Sequence, residues 1–192
     1  MRELKQLIPQ ETCLKCEVCC RFSDKNSVWA PVLSGNEARN LANKDLSKVK
    51  ILDNNQFELV STNGGYICPC LSVKDNRCKI YSFRPFECQL YPFLITKNGQ
   101  KINLAVDLKC PFIYKGFDSG AVKKDLGFSR FVQYLTALFN SKNIIDFIRN
   151  NPRLIGNYTE DVITVVTLEK LSSWIINKNN ETTPVSSPNP PR

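Results

Sequence analysis

The stretch Cys13-Leu14-Lys15-Cys16-Glu17-Val18-Cys19-Cys20 carries four of the nine cysteines of the chain within eight residues. A Cys-x2-Cys step brings two sulfurs to one side of a tight turn, and a second step adds a third sulfur. Thiolate sulfur is a preferred ligand of zinc and of the iron in iron–sulfur clusters. The stretch therefore predicts a metal-binding element around which the rest of the chain folds.

The other cysteines lie between residues 68 and 110, and two of them, Cys68 and Cys110, directly precede proline. A Cys-x2-Cys-x2-Cys run completed by a remote Cys-Pro is a ligand pattern of iron–sulfur clusters. A second Cys-x2-Cys pair, the commoner pattern of zinc sites, does not follow, because Cys68 and Cys70 are only two positions apart. The spacing thus indicates a metal and leaves zinc and iron open.

Two alternatives to a metal site are a disulfide framework and a set of buried thiols. Residues 1–12 contain no apolar segment of the kind found in a secretory signal, so we expect a cytoplasmic protein with reduced cysteines. An odd number of cysteines also fits paired disulfides poorly. Burial as a small hydrophobic residue suits a single cysteine better than a cluster of four. These observations favour metal binding.

The composition excludes several classes of site. The chain has no histidine, which removes the usual general acid and base near neutral pH and every hydrolase triad that needs one. A zinc site would have to use only sulfur and carboxylate ligands. No apolar run approaches the roughly 18 residues of a membrane span, so we expect no membrane-spanning segment.

The formal net charge of +8 is concentrated beside the downstream cysteines. Residues 61–115 carry 8 basic and 3 acidic side chains, an excess of 5. Such an excess is typical of a nucleic-acid-binding surface. However, four thiolates around a divalent ion form a unit of charge −2, which nearby cations compensate. We prefer compensation and keep a nucleic-acid-binding zinc module as an alternative function.

The clearest local signal is the dipeptide Asn98-Gly99 between two alternating segments. A two-residue Asn-Gly loop predicts a type I′ β-hairpin and fixes its register. The predicted pairs are Ile95 with Ile102 and Phe93 with Leu104.

Helix signals recur along the chain. A Ser34-x-x-Glu37 capping box opens the first helix, Pro85 opens one that carries Cys88, and apolar periodicity marks the later ones. The β-branched run 162–166 allows a strand instead within the last of them. The expected helices are 34–43, one following residue 85, 128–139, 144–150 and 159–177.

We therefore expect an α+β fold. Residues 1–117 would form a small, irregular, metal-stabilised cysteine-rich domain with a β-hairpin. Residues 118–178 would form a helical extension packed on it. The polar, proline-rich residues 179–192 would form a disordered tail.

Four motifs occur in a fixed order: Cys13-x2-Cys16-x2-Cys19-Cys20, Cys68-Pro69-x-Leu71, Cys78-x-Ile80-Tyr81-x2-Arg84-Pro85-x2-Cys88, and Pro92-Phe93. Over roughly residues 10–115 this set resembles the YkgJ-type cysteine-cluster family, which is described as chelating zinc or iron. The resemblance implies zinc, iron or a 4Fe-4S cluster as the cofactor. At the position of Cys70 the family usually has a large apolar residue, which leaves Cys70 out of the implied ligands. Those ligands are Cys13, Cys16, Cys19, Cys20, Cys68, Cys78, Cys88 and Cys110.

Eight thiolates are enough for two four-thiolate sites, or for one cluster and one ion. We expect the run 13–20 to share a site with at least one later cysteine, because four thiolates so close together rarely all reach one ion. We also expect Cys88 and Cys110 at one site, because they flank the open end of the hairpin. Arg84 would either donate hydrogen bonds to thiolate sulfur or lie solvated on the surface.

A metal-binding protein is the leading functional hypothesis. A flagellin lysine methylase is similar in its cysteine-rich region, so the resemblance also implies a metal-dependent, protein-modifying enzyme as an alternative. The sequence names neither a substrate nor a protein partner.

Overall fold

The computed structural model describes residues 4–42, 49–118, 126–158 and 160–181. They form the predicted α+β fold, with the cysteines toward the N-terminus and the longer helices toward the C-terminus. The helices are α1 (Gln10–Leu14), α2 (Gly35–Ala42), α3 (Phe86–Leu90), α4 (Pro111–Asp118), α5 (Leu126–Phe139), α6 (Lys142–Asn150) and α7 (Glu169–Glu181), with 3₁₀ turns at Tyr81–Phe83 and Pro152–Leu154. The strands are β1 (Arg21–Phe22), β2 (Val60–Thr62), β3 (Gly65–Ile67), β4 (Leu71–Ser72), β5 (Arg77–Cys78), β6 (Phe93–Asn98), β7 (Lys101–Asp107) and β8 (Val162–Thr167).

The strands form three antiparallel sheets with the orders β1-β3-β2, β4-β5 and β6-β7-β8. The first two sheets consist of strands of two or three residues and lie in the cysteine-rich part. The third sheet has longer strands, and its central strand β7 is buried from Ile102 to Asp107. None of the helices within the described ranges is both long enough and apolar enough to cross a membrane.

The register of the β6–β7 hairpin differs from the prediction. The loop is Gly99-Gln100, and the observed pairs are Asn98 with Lys101, Ile95 with Leu104 and Phe93 with Val106. Of the two loop residues only Gly99 has a positive φ, +59°, which fits a type II′ turn with glycine first rather than type I′. Because β7 is buried on both faces, its apolar pattern has no alternation that would have fixed the register.

Residues predicted as one helix over 159–177 form a strand followed by a helix. Strand β8 pairs with β7, and α7 begins only at Glu169. The β-branched side chains of 162–166 keep more freedom in a pleated strand than in a helix, so the helix prediction was wrong there and the strand alternative is confirmed. Thr159, predicted to open that helix, lies outside the described residues.

The capping box of α2 is confirmed. The Ser34 N–H donates to Glu37 Oε2 at 2.8 Å, and the Glu37 N–H donates to Ser34 Oγ at 3.3 Å. Oε1 of Glu37 accepts a hydrogen bond from the Phe86 N–H at 2.7 Å, which ties α2 to the first turn of α3. Helix α3 begins directly after Pro85 and carries Cys88, as predicted.

Two clusters of buried side chains form the core. The larger lies around β6 and β7 and draws residues from both sides of residue 117, such as Leu4 and Phe128. The smaller includes Cys68 and Cys70 among its buried residues. The domain boundaries at 117 and 178 stay predictions, and residues 182–192 of the expected tail lie outside the described residues.

Candidate metal centre

All nine cysteines are free thiols, and all nine line a single cavity of about 510 Å³, here called the cysteine cavity. They belong to segments that are far apart in sequence, from α1 to the residue before α4. The fold thus brings the N-terminal run 13–20 to the same cavity as every later cysteine.

Tight turns fold the N-terminal run around the cavity. Helix α1 follows Pro9 and ends just after Cys13, and the Cys16 N–H donates to the Cys13 carbonyl at 3.0 Å. Further along, the sulfurs of Cys19 and Cys20 lie 3.9 Å apart. Short segments without long apolar stretches therefore present four thiols to one space.

Asn76 fastens this run to the β4–β5 hairpin. Its φ of +54° at the hairpin turn is a left-handed conformation that asparagine tolerates better than most residues. Its side-chain amide donates to the carbonyl of Leu14 at 3.1 Å and to that of Cys16 at 2.6 Å. The turn after β4 therefore holds the backbone of the cysteine run in place.

A β-turn places Cys68 and Cys70 side by side. The Leu71 N–H donates to the Cys68 carbonyl at 2.9 Å across Pro69, and the Cys70 thiol raises the pKa of Cys68. The Cys68 N–H donates to the Cys20 carbonyl at 3.0 Å. This backbone bond joins the second group of cysteines directly to the first.

Cys78, Cys88 and Cys110 complete the cysteine wall. Cys78 lies on β5, opposite Leu71 of β4, so the hairpin folds it back beside the Cys68 turn. Cys88 lies within α3. The Cys110 carbonyl accepts a hydrogen bond from the Tyr114 N–H at 2.8 Å at the start of α4.

The protein alone favours the neutral form of these thiols. An interaction with the adjacent thiol that favours the protonated form, with Cys20 for Cys19 and with Cys70 for Cys68, is the largest cause of the raised pKa of Cys19 and Cys68, and desolvation adds to it. Since thiolates are the ligands of zinc and iron, a bound cation would have to displace protons here. The thiols whose pKa is raised mainly by burial are Cys13, Cys16, Cys78, Cys88 and, to about 11, Cys110.

Cys19 interacts electrostatically with most of the other thiols. A charge on Cys19 raises the pKa of six others: Cys13, Cys16, Cys68, Cys78, Cys88 and Cys110. A charge on Cys16 also raises the pKa of Cys110, and charges on Cys68 and Cys78 raise the pKa of Cys88. The thiols of distant segments are thus electrostatically coupled through the cavity.

The thiols surround the cavity instead of meeting at one point. Among the described side chains, no group of three or more Cys, Asp or Glu is disposed to hold a metal ion. Ligation would therefore require thiol side chains to rotate toward a common point, and the volume of the cavity leaves room for that rotation.

The surroundings of the thiols fit an anionic centre. Arg84 lines the cavity, and its guanidinium opposes the increase in pKa at Cys13, Cys19 and Cys78. Two of its nitrogens are buried without a hydrogen-bond partner. The residues present therefore supply both soft sulfur ligands and a cation that compensates their charge.

The cavity lining also has aromatic and charged side chains. Trp29 stacks on Tyr158 with ring centroids 4.7 Å apart, and the Lys109 ammonium lies 4.5 Å from the centre of the Trp29 ring. The Tyr158 hydroxyl donates to the Glu87 carboxylate at 3.3 Å, and burial raises the pKa of Glu87 to about 7. The cavity thus has polar groups beyond those that a metal would use.

The sequence motifs missed part of this wall. Cys70 was set aside as an extra thiol, yet it lines the cavity with Cys68. The step Cys68-Pro69-Cys70, with proline at the second position of a turn, was the sequence signal that could have indicated this. Tyr91 gave no signal, because only the tertiary fold brings its hydroxyl to the cavity. The eight-cysteine ligand set stays a prediction.

A family model described as "CxxCxxCC: Putative zinc- or iron-chelating domain" matches residues 12–111, which include all nine cysteines. No curated protein and no solved structure gives a significant match to the chain.

Proposed function

Because the chain belongs to the CxxCxxCC family of zinc- or iron-chelating domains, we propose that it binds zinc or iron through the thiolates of the cysteine cavity. The observation that carries the proposal is that nine free thiols from distant segments line one cavity. The proposed ligands are Cys13, Cys16, Cys19, Cys20, Cys68, Cys78, Cys88 and Cys110. When bound, zinc would hold these segments together as a structural or Lewis-acidic ion, and an iron–sulfur cluster would add electron transfer.

The electrostatic coupling among the thiols supports one extended centre or two adjacent ones. Charges on Cys16 and Cys19 raise the pKa of Cys110, and charges on Cys68, Cys78 and Cys19 raise the pKa of Cys88. Eight thiolates are enough to bind two zinc ions with four thiolates each, or one iron–sulfur cluster and one further ion.

Elemental analysis of the full-length chain, purified without oxygen, tests this function. We expect zinc or iron in a fixed ratio to protein and protection of the bound thiols from alkylation. Strong visible absorption would identify an iron–sulfur centre, and a colourless protein would identify zinc. A chain that takes up neither metal and leaves all nine thiols reactive would refute the proposal.

The variants Cys88→Ser and Cys110→Ser test whether these two cysteines bind metal at the same centre. Each variant should lose metal, because serine replaces a soft thiolate with a poor ligand for these ions. Ser141→Cys, on the loop before α6 and outside the cavity lining, is the matched control for a change in thiol number. If either cavity variant keeps the full metal content, Cys88 and Cys110 do not serve the same centre.

The aromatic and charged wall favours a second candidate, a metal-dependent enzyme that modifies a protein side chain. The cavity volume of about 510 Å³ is in the range of small-molecule sites, and Glu87 and Lys109 supply polar groups there. Transfer of a labelled methyl group from S-adenosylmethionine to lysine of a flagellin peptide, with loss of the ammonium proton, tests it. Absence of label in the metal-loaded protein argues against this candidate.

A further inference from the structure

Three buried side-chain atoms in the described part of the chain lack a hydrogen-bond partner. They are Nε and Nη2 of Arg84 and the hydroxyl oxygen of Tyr91. Both residues line the cysteine cavity. Buried donors in folded proteins are almost always paired, because an unpaired one loses its bonds to water without compensation. The coincidence of all three atoms at one cavity therefore calls for an acceptor inside it.

Arg84 is held in a fixed orientation toward the thiols. Its guanidinium carbon lies 4.2 Å from the centre of the Tyr81 ring, and this contact restricts the orientation of the planar guanidinium group. Its backbone is extended ahead of Pro85, with ψ at 150°. From this position the guanidinium acts on Cys13, Cys19 and Cys78, which belong to different segments.

Tyr91 lines the same cavity from the end of α3. Its ring packs against the larger core cluster, and charges on Cys110 and Cys19 act on its hydroxyl. The Asp107 carboxylate is also near that hydroxyl but outside good hydrogen-bond geometry. Cys19 is therefore the thiol that interacts electrostatically with both Arg84 and Tyr91.

A metal-bound sulfur is the acceptor that this geometry suits. A neutral thiol accepts hydrogen bonds weakly, whereas a thiolate keeps lone pairs and negative charge when it binds a metal. Removing a group that donates to a metal ligand typically costs 10–100-fold in metal affinity.

We propose that Arg84 and Tyr91 donate hydrogen bonds to metal-bound thiolate sulfur around Cys19, and so set the affinity and the electronic properties of the centre. The inference rests on the proposed metal binding. Both are positioning residues rather than ligands, since neither side chain is a usual ligand of zinc or iron in a thiolate site. Arg84 also supplies a positive charge inside the wall of a centre whose ligands are anionic.

Cobalt(II) bound to the full-length chain is the probe, because its sulfur-to-metal charge-transfer absorption reports on the thiolates directly. Arg84→Met and Tyr91→Phe should bind the same number of cobalt ions per chain as the wild type, but about 10–100-fold more weakly in competition with a chelator. Their charge-transfer bands should shift to lower energy, because sulfur lone pairs without a donor are more easily oxidised. Arg84→Lys, which keeps the charge but not the planar fork, should recover part of the affinity.

Arg130→Met and Tyr114→Phe are the matched controls, since both side chains are exposed and outside the cavity lining. They should leave affinity and absorption unchanged. Cobalt affinity within twofold of the wild type for Arg84→Met and Tyr91→Phe overturns the inference, and so does weaker binding without a band shift. If Arg84→Met does not accumulate as folded protein, the cobalt affinity and absorption of Tyr91→Phe and Arg84→Lys are compared with those of the wild type instead. A wild type that binds no cobalt, zinc or iron instead refutes the proposed function itself.

Discussion

The two thiols of the Cys68-Pro69-Cys70 turn have different surroundings although they touch each other. Cys70 is 1% exposed and is part of the smaller core cluster, whereas Cys68 is 7% exposed. Two adjacent sulfurs resist ionising together, because each thiolate disfavours the other. We therefore expect that, in a metal-bound state, one of these two buried sulfurs is a ligand and the other a neutral thiol that donates to it.

We expect Cys68 to be the ligand and Cys70 the donor. Cys70→Ala should keep the metal-to-protein ratio of the wild type, while Cys68→Ala should lower it, as measured by elemental analysis of the purified chains. The less buried sulfur faces the cavity more openly, and the position of Cys70 suits an apolar side chain. Equal loss of metal in both variants, or loss only in Cys70→Ala, would contradict this assignment.

At the scale of elements, the sheet beside the cysteine run depends on one glycine. Gly65 opens β3 with a φ of +129°, and a Cβ atom there would lie 2.7 Å from the Phe22 carbonyl oxygen of β1. Strand β1 directly follows Cys19 and Cys20. A displacement of β1 would therefore move the thiols at the centre of the cavity.

Gly65→Ala should lower the free energy of unfolding of the metal-loaded chain by about 1–3 kcal/mol, because alanine has both a strained backbone and a clash with main-chain atoms at this position. Gly64→Ala is the matched control, since a Cβ atom there has nothing within 4 Å and the change should stay within about 0.5 kcal/mol. Denaturant unfolding measures both. Similar stabilities for the two variants would show that β1 tolerates the shift.

Elements set by local chemistry were predicted correctly from sequence, and those set by tertiary packing were not. The capping box at Ser34 and the helix after Pro85 depend on a few neighbouring residues, and both are confirmed. The register of β6 and β7 was wrong because β7 is covered on both faces. The run 162–166, for which the sequence allowed a helix or a strand, is a strand paired with β7.

Part of the candidate site was likewise predicted from the sequence, and part of it depends on the tertiary fold. Cysteine spacing, a local property, was enough to predict a metal site, and the resemblance to the YkgJ-type family supplied the eight expected ligands. That Cys70 and Tyr91 both line the cavity follows from the tertiary fold, which the motifs do not encode. Arg84 was recognised as a candidate donor, but its burial could not be known before the fold.

At the scale of the whole molecule, stability is distributed unevenly. The larger core cluster combines β6 and β7 with α5, α6 and α7, and includes fully buried side chains such as Phe93, Phe139 and Ile148. The strands around the thiols are two or three residues long, and the run 10–20 contributes no buried residue to either cluster. Metal ligation would supply the folding free energy that apolar burial does not supply there.

Removal of the metal by a chelator should therefore loosen one part of the chain and leave the other intact. Hydrogen exchange should speed up in peptides covering residues 10–22 and 65–78, because these segments are held by few buried apolar side chains. Peptides covering α5, α6 and the β6–β7 hairpin should keep the protection that they have in the metal-loaded protein, and they serve as the internal control. Equal loss of protection in both parts would mean that the two cores unfold together. Unchanged exchange in both would mean that the cysteine-rich part is stable without its metal.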